Sequence, residues 1–215
     1  MTLSTHNLSF DEINKETINF DKDICKIKSF SGSERQIYLT DRLKQLEQCL
    51  TQILELEELQ VKKAENGVGS IRDWDPYYTL IGHLFEGFIK TILMIEDFDN
   101  FFLNYNNENK PLKRFEDAKQ ELNRVLKIKN LDEEQAERMK EVLDYIQLQR
   151  NNFIHFPLKT YRIIGVKFEI YMVIKKLCEQ NQIIFSEETI NKLNNAIGRE
   201  SYYRVAMKFK DVWEH

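Results

Sequence analysis

Glycine and proline are scarce in this chain, with 7 and 3 among 215 residues. Sandwiches and barrels need turns at short, regular intervals, and these are the residues that make them. There is no sustained apolar–polar alternation and no repeat of fixed period, so extended-sheet and solenoid architectures are excluded as well. Cysteine is also rare. Cys25, Cys49 and Cys178 are odd in number and widely spaced, with no CxxC and no Cys/His cluster. That pattern supports neither a disulfide framework nor a zinc site, and it suits free thiols in a reducing cytosol. No charge sign dominates: 31 basic and 35 acidic residues give a net charge of -4. Nucleic-acid binding therefore has no global signature and would rest on a local patch. Long apolar runs are missing too. The strongest, FIKTILMI, is too short to span a bilayer and contains Lys90. The opening MTLSTHNLSFDEINKETINFDKD lacks the apolar core of a secretory signal. The expectation is a soluble, cytoplasmic protein with no membrane partner.

What is present is a foldable, helical composition: 42% hydrophobic, 31% charged and 12% aromatic residues, enough for a real core. Residues 1–34 show weak periodicity and end in the turn-like SFSGS, so they read as an N-terminal extension with room for a short strand or turn. From Glu34, Leu39, Leu43, Leu46, Leu50, Ile53, Leu54, Glu57 and Val61 recur at helical spacing up to the ENGVGS loop. Asp73, Asp75 and Pro76 open a second helix with a dense apolar face from Leu80 to Leu93, and FDNFFLNYNNENK reads as its end. A third helix is predicted from near Pro111 to Lys129. A fourth is capped by Asp132 and limited by Pro157. A fifth runs from about Thr160 to Glu179, with Gly165 as a close-packing candidate. A last helix starts at Ser186, where SEET resembles a capping box. The fold class is all-α, an up-and-down bundle of about five to seven helices, with 35–215 as the helical domain.

Gly-rich phosphate loops, HExxH, GxSxG and metal-ligand spacings are all missing, so no metal or cofactor is expected. His6 and His215 lie in the terminal segments, which leaves His83 and His155 as candidates for chemistry. The stretch QRNNFIHFP, residues 149–157, places Arg150, Asn151 and His155 on a helix that must end before Pro157. On an ideal helix Arg150 and His155 are about 140° apart, with Asn151 between them. A histidine can move a proton near neutral pH, and an arginine stabilises charge building on a phosphoryl group. Together they suit RNA cleavage by the 2′-OH without a metal. From Arg150 to Lys176 the basic residues Arg150, Lys159, Arg162, Lys167, Lys175 and Lys176 face only Glu169 as an acid, a local patch suited to a phosphate backbone. The tail, RESYYRVAMKFKDVW, mixes basic and aromatic residues and fits an amphipathic C-terminal helix better than an RNA-stacking surface.

RNNFIHFP resembles the RNxxxH signature, more loosely RX4-6H, of the HEPN superfamily. These are small helical domains found in many prokaryotic ribonuclease toxins and defence proteins. The asparagine after the arginine and the proline soon after the histidine both match. YTLIGHLFEGFIKTILMI is similar to the amphipathic helix that precedes the motif helix in that superfamily, where a polar residue often faces the cleft. Here Glu86, with His83 and Lys90 on the same face, fills that place. The resemblance is strongest over 73–180. It implies a metal-independent endoribonuclease leaving 2′,3′-cyclic phosphate ends, with His155 as base or acid, Arg150 on the phosphate, Asn151 orienting and Glu86 assisting. Lys90, Lys159 and Arg162 would bind substrate. It further implies a homodimer with the site at its interface, a toxin or antiviral-defence role, and a protein antitoxin as one partner besides RNA. Some members bind RNA, a nucleotide or a partner without cutting, which leaves a non-catalytic module as the alternative. An all-α interaction protein with an incidental RNNFIH is a third reading.

Overall fold

In the computed structural model, residues 24–68, 75–109, 111–128, 132–155 and 166–206 are described; at 75, 127, 128, 150–155, 166 and 201–206 the backbone alone is. Among them are eight helices and no strand, one more helix than the upper expectation. They are α1 (24–28), α2 (Gly32–Glu65), α3 (Asp75–Glu96), α4 (Phe98–Asn104), α5 (Phe115–Ile128), α6 (Glu133–His155), α7 (Val166–Gln180) and α8 (Glu187–Ala206). The chain divides into two compact units, Met1–Thr40 and Asp41–His215.

In the first unit, residues 24–28 form α1, and a turn at Ser29 leads into α2. α2 begins at Gly32, two residues ahead of Glu34, because Ser31 and Glu34 form half of a capping box: the Glu34 carboxylate accepts from the Ser31 amide and hydroxyl, both at 2.8 Å. The Ser31 amide bond is the main cause of a lowered Glu34 carboxyl pKa, with the hydroxyl bond second. Phe30 and Tyr38 meet edge to face at 5.9 Å across this turn.

The second unit is built around α3, which packs on α4, α5 and α6. Its residues Ile81, Leu84, Phe85, Phe88, Ile89 and Ile92 are all at most 1% exposed. Each such side chain contributes roughly 1.5–3 kcal/mol on burial. By length and composition α3 is apolar enough to cross a membrane, but 61% of its most apolar window is buried inside the protein. Close packing with α2 occurs at Gly87, where a Cβ would lie 2.9 Å from Leu46 Cδ2. Gly165, the sequence candidate for that role, lies outside the described residues.

Two boundaries differ from expectation, each for a local reason. Asp97 ends α3 and caps α4, accepting from the Asn100 amide at 3.0 Å. Phe98, Phe101 and Phe102 then give α4 a buried face of its own. α5 starts at Phe115 rather than near Pro111, because the Leu112 and Lys113 amides donate to the Asn104 and Tyr105 carbonyls at 3.0 and 3.1 Å. Those bonds hold the preceding turn against the end of α4.

The start of α8 shows how the helices lock together. Ser186 caps it, but SEET lacks the glutamate that completes a capping box. Glu47 of α2 supplies the carboxylate, accepting from the Ser186 amide at 2.7 Å and from its hydroxyl. One turn along α2, the hydroxyls of Thr51 and Thr189 pair at 3.2 Å.

Candidate functional site

Arg150, Asn151 and His155 occupy the last two turns of α6, which is helical through His155. Their side chains, and all of Lys159 and Arg162, lie outside the described residues. Positions 151 and 155 are one turn apart on the backbone, and they follow Asp144 by two and three turns on the same stripe.

The half of α6 that leads into this stretch is clamped to α5. Lys119, 5% exposed at its side chain, donates to Asp144 and, at 2.6 Å, to Gln147 Oε1. It also lies 3.2 Å from Glu116 Oε2, so its three N–H groups have three acceptors. Gln147 in turn hydrogen-bonds Glu116. Partial burial works to raise the Glu116 carboxyl pKa, but the bonds from Gln147, Gln120 and Lys119 outweigh it and leave it lowered. Stepping back three residues along α5 thus steps forward along α6, an antiparallel register.

Glu86 and Lys90 reach the same region from α3. They form a half-buried ion pair at 2.6 Å, and the Lys90 ammonium donates to the Lys113 carbonyl at 2.6 Å, one turn before Glu116. The first turns of α5 and the turn before it therefore hold both the Glu86–Lys90 pair and the segment of α6 immediately ahead of Arg150. Glu86 is charge-compensated rather than a lone carboxylate, and Lys90 spends two hydrogen bonds within the protein. His83 is exposed.

The basic patch needs correction at Lys167. Its ammonium is buried, 3.2 Å from Glu57 Oε1 and 2.6 Å from Glu200 Oε1, so it does not face a phosphate backbone. Lys176 approaches Glu179 at 3.9 Å, whereas Lys175 is exposed. Arg199, from the basic tail, bonds Glu57 Oε2 at 2.5 Å. Next to this network the buried Tyr77 hydroxyl donates to Tyr171 Oη at 2.9 Å. Burial first pushes both phenols well above their ordinary pKa, and the Glu57 and Glu200 charges push in the same direction. Both remain protonated hydrogen-bonding groups at neutral pH.

Sequence reasoning does not pick out this network, although it contains one signal. Glu57 sits in the apolar register of α2, between Leu54 and Val61, and is 0% exposed. A carboxylate in a core position calls for a buried cation. No group of three or more His, Cys, Asp or Glu residues arranged to hold a metal ion occurs among the described residues. Compared with protein-family models, curated proteins and solved structures, the chain matches none.

Proposed function

We propose that the protein is a metal-independent endoribonuclease of HEPN type that cuts single-stranded RNA, with Arg150, Asn151 and His155 as its chemical centre. One observation supports this reading most directly. The RNxxxH stretch ends a helix whose preceding turn, through Asp144 and Gln147, is tied to the start of α5, and the turn just before α5 holds Lys90 with its partner Glu86. The helix that carries Glu86 and Lys90 and the helix that ends in the motif are thus both bonded to residues 113–119.

In the proposed reaction the ribose 2′-OH attacks the adjacent phosphorus and the P–O5′ bond breaks. A histidine takes the 2′-OH proton, and a proton is returned to the departing 5′ oxygen. The products are a 2′,3′-cyclic phosphate and a 5′-hydroxyl. Arg150 neutralises charge on the equatorial oxygens in the transition state, and Asn151 orients the phosphate by hydrogen bonding. Glu86 acts through Lys90, fixing its ammonium beside the site. By the same resemblance two copies pair so that their motifs face one groove, which would supply the base from one subunit and the acid from the other. Toxin or defence activity, with a protein antitoxin, belongs to the same proposal.

The test is incubation of purified protein with single-stranded RNA in EDTA, followed by end-group analysis. Cleavage leaving 2′,3′-cyclic phosphate is expected, and products with 3′-hydroxyl ends would rule the mechanism out. A second reading, a module that binds RNA, a nucleotide or a partner without cutting, is favoured by the engagement of Glu86, Lys90 and Lys167 within the protein. Tight binding with no cleavage in that assay would select it.

A further inference from the structure

We propose that Lys113, on the turn before α5, is a phosphate-binding residue of this site. The inference rests on the nuclease reading for its substrate and its site. Lys119 bonds Asp144 and Gln147, and Glu116, one turn earlier on α5, bonds Gln147. The turn that holds position 113 lies immediately before this end of α5, and α6 runs on past Gln147 toward the same end, to positions 150 and 151. From the other side, the Lys113 carbonyl receives the Lys90 ammonium, itself paired with Glu86. The turn that holds position 113 is therefore bonded to α3 and leads directly into the part of α5 that is bonded to α6.

The charges nearby are already compensated. Lys90 is held by Glu86 and a carbonyl, Lys119 by two carboxylates and an amide, and Arg114 by Asp117 at 2.6 Å. Lys113, by contrast, is exposed and joins no ion pair among the described residues. An uncommitted ammonium at a junction of compensated groups can neutralise a phosphodiester, releasing a condensed counterion as it does so.

The experiment compares wild type, Lys113→Ala and, as a control, Lys140→Ala, an exposed lysine ten residues before Arg150 on α6. Binding is read by fluorescence anisotropy with a labelled 2′-O-methyl single-stranded RNA, which cannot be cut, across a salt series. Cleavage is read on the unmodified strand. Lys113→Ala keeps the main-chain acceptor for Lys90, so its thermal unfolding should match wild type. Its binding should weaken on the order of three- to tenfold, with the slope of log affinity against log salt shallower by about 0.7, one contact's worth for a single strand. KM should rise with kcat unchanged, and Lys140→Ala should move neither. An unchanged salt slope in Lys113→Ala overturns the inference even if the protein cuts RNA. The reduced slope in a protein that binds but never cuts upholds Lys113 and sinks the nuclease reading. Wild type that binds no RNA overturns both.

Discussion

Replacing Lys167 with methionine removes the cation from a buried cluster and leaves its shape nearly intact. The Lys167 side chain is 9% exposed and lies between Glu57 at 0% and Glu200 at 5%. Removing one member of a buried ion pair costs about 3–5 kcal/mol, because the remaining charge stays desolvated without compensation. Here Arg199 still holds Glu57, whereas Glu200 loses its one ion-pair partner among the described residues. The lower end applies, about 3 kcal/mol. In a chain of this size that corresponds to a fall in Tm of roughly 6–12 °C. Urea denaturation followed by circular dichroism supplies the measurement, with an unchanged m value marking a true stability loss. The double variant Lys167→Met/Glu200→Leu removes the stranded carboxylate as well, and it should recover most of the loss. If Lys167→Met is as stable as wild type, or if the double variant is no better than the single, the cluster is not the electrostatic joint described above.

The remaining predictions concern the cap of α8 and the thiols. Burial works to raise the Glu47 carboxyl, but the Ser186 hydroxyl and amide and the Thr189 hydroxyl outweigh it, so its pKa is lowered. A depressed carboxyl contributes stability above the unfolded value of roughly 4.3 and loses it as pH falls through the folded one. Glu47→Gln should therefore be less stable than wild type at pH 7, by about 1 kcal/mol, with the gap closing in acid; a gap that widens in acid contradicts the capping role. Cys178 is pushed up to about 12, chiefly by burial, and burial raises Cys49 as well, whereas Cys25 is exposed. Timed alkylation at pH 8 with peptide mapping should label Cys25 first and Cys178 last.

Much of the fold is legible in the sequence wherever apolar residues recur every three or four positions. Leu46 to Leu54, Ile81 to Ile92 and Met139 to Ile146 mark the buried faces of α2, α3 and α6. The caps at Asp132 and Ser186 are equally local. α4 is harder to read, because one aspartate both ends a helix and begins another inside a continuous aromatic stretch. What periodicity does not carry is partnership at long range. Lys167 reads as one more solvated cation in a basic run, yet its carboxylate lies 110 residues earlier. Glu57 meets Arg199 across 142 residues, and the glutamate that completes the α8 cap sits 139 residues before Ser186. For the candidate site, the HEPN resemblance of RNNFIHFP singles out Arg150, Asn151 and His155, and the same resemblance alone singles out Glu86. The direct packing of α3 on α6, with the bonds of Lys90 to the turn before α5 and of Lys119 to α6, is visible only in the fold.

Single substitutions test most directly the proposal that Arg150 and His155 cut RNA. Arg150→Ala and His155→Ala should each reduce cleavage of single-stranded RNA in EDTA by at least about a hundredfold, while far-UV circular dichroism and Tm stay at wild-type values. Cleavage that persists at the wild-type rate in either folded variant would contradict the account.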